Sequence, residues 1–285
     1  MYPEFATIAG LQDWDALFPF DAVNFAQEKD PGSLGTYFDQ GHHPAKWGQA
    51  PFATRSFRLG LLSPLEATRE LRVSASYWKE ARHLDVLWLR AQPGQDLGFL
   101  SHRLLVNEEL LPAGEASHVL RRDAASPLPA RVLQGPAGPV FLVEAPAAAT
   151  IVGYLGGTEQ ALSQLGIRCE PFGLNFASLT AVALDSRPLA ESKRLLVTLV
   201  ARAGNQGARW NPERSSLGEN WGHGPTIAEP VPALIRVRRT AASNVYPLSP
   251  DGSRLPALPS RLVDGQLSFS TKDGPRTLHY EVVPE

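Results

Sequence analysis

At 285 residues the chain is long enough to bury a full core, as one domain or two. A hydrophobic share of 43%, a charged share of 20% and a net charge of -2 are ordinary for a globular chain and give no electrostatic case for a nucleic-acid partner. No stretch approaches the ~18 apolar residues of a membrane helix, and Met1 is followed by no basic, apolar leader, so a soluble chain with no membrane partner is expected. The 25 prolines and 24 glycines read as turns between short strands, because apolar runs persist between them.

Residues 3–15 read as a short helix. Pro3 suits its first turn, Phe5, Ile8, Ala9 and Leu11 give it an apolar face, and it ends at Leu11-Gln12-Asp13-Trp14-Asp15. Ala16, Leu17, Phe18, Pro19 and Phe20 read as a buried strand ending at Asp21. A polar loop over 24–41 follows, with a turn at Lys29-Asp30-Pro31-Gly32-Ser33. His42-His43-Pro44-Ala45-Lys46 opens a second helix. Trp47, Ala50, Ala53, Phe57 and Leu61 recur there at helical spacing, Gly60 or Pro64 closes it, and Pro51 kinks it or sits near its start. Residues 1–65 therefore carry the helix–strand–helix pattern of an α/β barrel, too little to close one alone. Standing alone, the segment from Leu17 to Phe20 is an apolar edge, expected to pack onto the rest of the chain or to pair with a second copy as a homodimer.

From residue 66 the character changes. Strand signals come at 71–77, 84–91, 119–121, 130–133, 140–144 and 150–155, while 159–165 reads as one or two helical turns. Residues 176–184 are rich in β-formers, and a polar turn follows at Asp185-Ser186-Arg187-Pro188. Leu195, Leu196, Val197, Leu199, Val200 and Ala201 form a nearly unbroken apolar run that reads as a central strand buried on both faces. Further strands are expected at 233–239, 244–248, 261–263, 267–270 and 277–282, with hairpin-type turns at Asp264-Gly265 and Asp273-Gly274-Pro275. In the last strand Leu278, Tyr280 and Val282 alternate with His279 and Glu281, a half-buried pattern. The fold class is mainly β: an antiparallel β-sandwich over 66–285, divisible near 170 into 66–170 and 171–285, preceded by the barrel-like remnant.

Several pieces together suggest a family. Leu11-Gln12-Asp13-Trp14-Asp15, Phe18 and Phe20, and His43-Pro44-Ala45-Lys46 resemble the end of the (β/α)8 barrel in large bacterial clan-A glycoside hydrolases of the retaining type. Leu189 to Leu196, Arg202-Ala203-Gly204-Asn205-Gln206-Gly207, Trp210-Asn211, Trp221-Gly222 with Gly224-Pro225, and Thr277-Leu278 with Tyr280-Glu281 resemble the β-sandwich that follows that barrel. The resemblance implies a secreted or periplasmic parent, a carbohydrate partner or the missing barrel portion as partner, and no cofactor. It also implies that the acid/base and nucleophile, paired about 5–5.5 Å apart in retaining enzymes, lie upstream of Met1. An accessory, glycan-contacting or scaffolding role without its own catalytic pair is the first expectation. A stand-alone hydrolase at the cut barrel edge, around Asp21, Asp39, His42 and His43, is the second.

Asp13 and Asp15 read as turn or capping residues and Asp21 as a loop carboxylate at the face where barrel sites assemble. His42 and His43, adjacent in sequence, suit a helix start better than a shared metal ion, and no metal site is expected. Trp210 and Trp221 lie in the Gly/Asn-rich loop after the central strand, with Asn205 and Asn211. The default role of both rings is to pin that loop or dock it on a neighbour; the other is to stack on sugar rings while the two Asn hydrogen-bond hydroxyls. Trp78 and Trp88 read as core. Ser101-His102 and Ser117-His118 lack a nucleophile elbow, and neighbours in a strand face opposite ways. Cys169 is the single cysteine, so no internal disulfide forms, and nothing around it marks a reactive thiol.

Overall fold

A computed structural model describes residues 2–19, 30, 32–36, 38–72, 99–106, 111–112, 115, 118–122 and 129–285. The helices are α1 (Tyr2–Leu11), α2 (Pro44–Trp47) and α3 (Ala50–Arg58). The strands are β1 (Thr68–Arg72), β2 (Arg103–Val106), β3 (His118–Arg122), β4 (Ala130–Gly135), β5 (Gly138–Ala145), β6 (Ala148–Tyr154), β7 (Glu159–Ala161), β8 (Leu165–Cys169), β9 (Phe176–Ala183), β10 (Leu195–Val200), β11 (Ala203–Gln206), β12 (His223–Ala228), β13 (Ala233–Arg238), β14 (Ser243–Pro247), β15 (Ser260–Val263), β16 (Gln266–Ser270) and β17 (His279–Pro284). The chain is mainly β, and apart from the parallel β1–β2 pair its strand pairs are antiparallel.

The largest sheet has seven strands in the order β14-β17-β10-β9-β6-β5-β4, and a five-stranded sheet runs β15-β16-β13-β8-β7. One hydrophobic cluster draws on both sheets. Leu179 of β9, Leu195 and Val197 of β10 and Val282 of β17 belong to it together with Ile167 of β8, Ile235 of β13 and Phe269 of β16. The side chains of β10 are buried on both faces, as its sequence requires. Leu196 points away from the shared core and packs with Phe52 of α3, Ala148 and Val182. Arg55 fastens the same helix, donating from Nε to the Ala183 carbonyl at 3.0 Å and from Nη2 to that of Leu184 at 2.8 Å. Helices therefore cover the outer face of the seven-stranded sheet.

The close approach of α2 and α3 depends on Gly48 between them. A Cβ there would come within 2.8 Å of the Pro44 carbonyl oxygen and 3.0 Å of Val200 Cγ1 on the sheet. The single helix expected over 42–60 is thus two, broken at Gly48-Gln49, with Pro51 in the first turn of α3, where its missing N–H costs nothing. Gln49 ties the break down. Its Nε2 donates to the Ala45 carbonyl at 2.7 Å, and its Oε1 accepts from Ser178 Oγ of β9 at 3.1 Å.

Other expectations are corrected. The first helix stops at Leu11, and Asp13 takes a left-handed φ of 60°. Asp13 then pairs with Arg103 at 2.9 Å, while Gln12 donates to the Phe99 and His102 carbonyls and accepts from Leu104 N, so the motif anchors the start of β2. Residues 16–19 form no strand: Phe18 is 90% exposed, and Pro19 has no N–H to give a ladder. Phe20, Asp21, Trp78, Trp88, Ser117, the strand expected at 84–91 and residues 73–77 of the one expected at 71–77 lie outside the described residues. The helical turns expected at 159–165 are instead the β7–β8 hairpin, with β7 a short, largely exposed edge strand. Asp264 and Gly265, at φ 50° and 75°, make the expected hairpin turn between β15 and β16. Asp273-Gly274-Pro275 makes no hairpin; it carries the chain from β16 in one sheet to β17 in the other. Glu281, expected to face solvent, is buried between two arginines, accepting from Arg194 Nε at 2.5 Å and Arg254 Nε at 2.6 Å. Among the described residues no helix is long and apolar enough to cross a membrane.

Candidate functional site: an aromatic cavity beside the β11–β12 ribbon

After β10 the chain leaves the sheet as the two-stranded ribbon β11–β12, whose connection, residues 207–222, carries both tryptophans. Left-handed glycines shape this loop. Gly207 has φ 74° and Gly222 φ 72°, and a Cβ on Gly222 would sit 2.3 Å from the Gln206 carbonyl oxygen and 2.6 Å from Ala208 N. Only glycine lets the segment after Trp221 cross the segment before Trp210 this closely. The two arms are joined by Arg209 N donating to the Asn220 carbonyl at 2.9 Å.

The N-terminal segment supplies the facing wall. Asn205 Oδ1 accepts from Leu34 N at 2.6 Å, Asn205 Nδ2 donates to the Leu34 carbonyl at 2.8 Å, and Thr226 N donates to the Gly32 carbonyl at 3.0 Å. Asp30 Oδ2 accepts from Gly224 N at 2.7 Å. Between ribbon and segment lies a cavity of about 430 Å³. Trp210, Trp221, Leu217 and Leu34 give it apolar walls, and Arg202, Glu229 and His43 bring polar groups. Trp210 is 41% exposed at its rim, and Trp221 Nε1 is bonded to the Gly218 carbonyl at 2.9 Å. The two rings therefore line one concave surface, a placement that serves stacking as well as loop packing.

The remaining sequence candidates divide. Asn205 lines the cavity, but its amide is committed to Leu34, with Thr226 Oγ1 also donating to it at 3.2 Å. Asn211 organises the loop: its Oδ1 accepts from Ser215 N and Ser216 N, and its Nδ2 donates to Ser215 Oγ. These bonds hold the loop's own turn, as an Asn side chain readily does with nearby backbone N–H groups, and Asn211 is not among the residues that line the cavity. Asp39, 0% exposed, accepts from Gly35 N at 2.5 Å and Thr36 N at 3.1 Å, so its carboxylate holds the 35–39 loop and faces no groove. His43 caps α2, its Nδ1 accepting from Lys46 N at 3.3 Å. Burial, and then the Lys46 charge, push its imidazole down to about 4, so it is neutral at pH 7. The Nδ1 of His42 is buried with no hydrogen-bond partner among the described residues. The residues expected to form a site at the barrel edge thus separate into a loop carboxylate, a helix cap and, in Asp21, a position outside the described residues.

Ser101 and His102 are in a turn and not a strand, and Ser101 Oγ lies 2.9 Å from His102 Nδ1, which corrects the expectation that they face apart. His102 is nevertheless buried, out of reach of a substrate. Burial pushes the Cys169 thiol up to about 12, a protonated sulfur in β8. Among the described residues no three His, Cys, Asp or Glu side chains converge as a metal site would require.

Sequence reading missed Glu229 and the outward placement of Trp47. Glu229 ends the β12 arm directly before Pro230-Val231-Pro232, and its Oε2 is buried with no hydrogen-bond partner among the described residues. Its other oxygen lies over Gly173, where a Cβ would come within 1.6 Å of Oε1. An acid opening a Pro-x-Pro run was the available signal. Trp47, assigned to an apolar helix face, is 49% exposed. No family model, curated protein or solved structure matches this chain significantly.

Proposed function

We propose that this chain is a glycan-contacting accessory portion of the glycoside-hydrolase type, and that the cavity between Trp210 and Trp221 is its sugar contact. In this reading the two sheets that share one core are the layers of a β-sandwich, and the helical segment before them is the barrel-like remnant. The observation that carries the reading is the convergence of both tryptophans on one cavity with Arg202 and Glu229. Pyranose rings offer an apolar face to indole and hydroxyl edges to charged groups, and this lining meets both needs. In the resemblance, cleavage belongs to a carboxylate pair on barrel strands outside the stretch that this chain resembles, so the role proposed is contact. Asp39 and His43 are each engaged with local backbone N–H groups, and Asp21 lies outside the described residues, so no observation favours the stand-alone hydrolase.

Isothermal titration of the folded chain against β-glucans, xylans and galactans tests the reading. Heat of binding to at least one is expected, and Trp210→Ala and Trp221→Ala each weaken it by about tenfold or more, the usual scale for a truncated Trp anchor. Absence of heat with every glycan, or binding indifferent to both substitutions, refutes the assignment.

A further inference from the structure

A second cavity, of about 520 Å³, lies beside the first. Ala228, Glu229 and Pro230 line both. The short helix α2 stands along their boundary: His43, its cap, lines the first, while Pro44, Trp47 and Gly48 line the second. Trp47 is half exposed there, with Pro44 in the first turn of its helix and Gly48 close against Val200 of β10 and Leu278, which precedes β17. The far wall carries polar groups again, among them Ser249, Arg276 and Thr277.

Resting on the reading above, we propose that the two cavities are one groove for a linear oligosaccharide, running from the Trp210/Trp221 cavity past Glu229 to Trp47. Each cavity alone has the volume of a small-ligand site. Together they place an aromatic surface at either end, with Ala228, Glu229 and Pro230 at the joint. A chain of pyranoses repeats that alternation, presenting flat apolar faces and hydroxyl edges unit after unit. Glu229, with Ala228 and Pro230, forms the strip shared by both cavities, and a ligand running from one to the other crosses it.

The inference fixes how affinity depends on chain length. Titration calorimetry of the whole chain with β-glucan and xylan oligosaccharides of two to six units should show affinity rising by at least about tenfold along the series. Trp47→Ala should remove that rise and leave the disaccharide within about twofold of wild type, whereas Trp210→Ala weakens every length. Arg276→Ala, which alters an exposed side chain in the second cavity, should give the same length-selective loss and replaces Trp47→Ala if that variant does not fold. Equal affinity at all lengths, with Trp47→Ala and Arg276→Ala silent, overturns the single groove while leaving the aromatic cavity in place. Failure of folded wild type to bind any length removes both.

Discussion

Replacing Phe52 by Ala tests the contact that holds α3 against the seven-stranded sheet. Phe52 is 1% exposed and packs with Ala148 of β6, Val182 of β9 and Leu196 of β10. These strands are interior to the seven-stranded sheet and hydrogen-bonded on both sides, so they cannot close over the lost ring. Phe→Ala in a core costs about 3–5 kcal/mol, and a site that cannot collapse belongs in the upper half, about 4–5 kcal/mol. At roughly 2–4 °C per kcal/mol for a domain of some 150–250 residues, the melting temperature should fall by about 8–20 °C. Urea unfolding gives the free energy, and an unchanged slope shows that the denatured state is unaltered. Because α3 follows α2 through Gly48-Gln49, the variant should also weaken glycan binding at concentrations where it remains folded. A loss below about 1.5 kcal/mol refutes the packing of α3 on the sheet, and with it the mounting of His43 and Trp47.

Three further outcomes are expected. Burial alone would raise the Glu281 carboxyl, but the hydrogen bonds and charges of Arg254 and Arg194 outweigh it and hold the group below its ordinary range. The stability this brings is present above the unfolded-state value near 4.3 and is lost as pH falls through the folded value. Glu281→Gln should therefore cost about 1–2 kcal/mol at pH 7, discounted for the exposed arginines, and progressively less as the pH is lowered into the acid range, as read by denaturant titration across that range. His43 is shifted the other way for a base, down to about 4, so the unfolded chain binds its proton first. Stability should fall as pH drops from about 6.5 to 4, less so in His43→Asn, and the His43 ring resonances should titrate near the lower value by NMR. Gly222→Ala puts a Cβ against the Gln206 and Ala208 backbone at a left-handed φ. It should cost about 1–3 kcal/mol in thermal unfolding and abolish glycan binding at temperatures where the protein is folded.

Local signals were readable and long-range ones were not. The apolar run of β10 fixes a strand buried on both faces, and Asp264-Gly265 marks the β15–β16 hairpin, because both depend on residues within a few positions. Glu159-Gln160-Ala161-Leu162 reads as helix by propensity, yet it is an edge strand whose partner β8 supplies the order. Ala203-Gly204-Asn205-Gln206 has no strand character at all. It becomes β11 through its ladder to β12 and through Asn205 gripping Leu34, a partner 171 positions away. The site divides the same way. Trp210 and Trp221 stand out in a Gly/Asn loop, whereas Trp47 reads as core until Gly48 is seen pressed on Val200, turning the indole outward. That Asn211 binds its own turn was not legible, because nothing in composition separates an Asn that caps its turn from one that does not.

The most direct measurement is a crystal structure of the chain soaked with a linear hexasaccharide at saturating concentration. The expected density begins between Trp210 and Trp221, passes Glu229 and ends over Trp47. Sugar bound on some other surface, or a groove still filled only by solvent at saturation, contradicts the assignment.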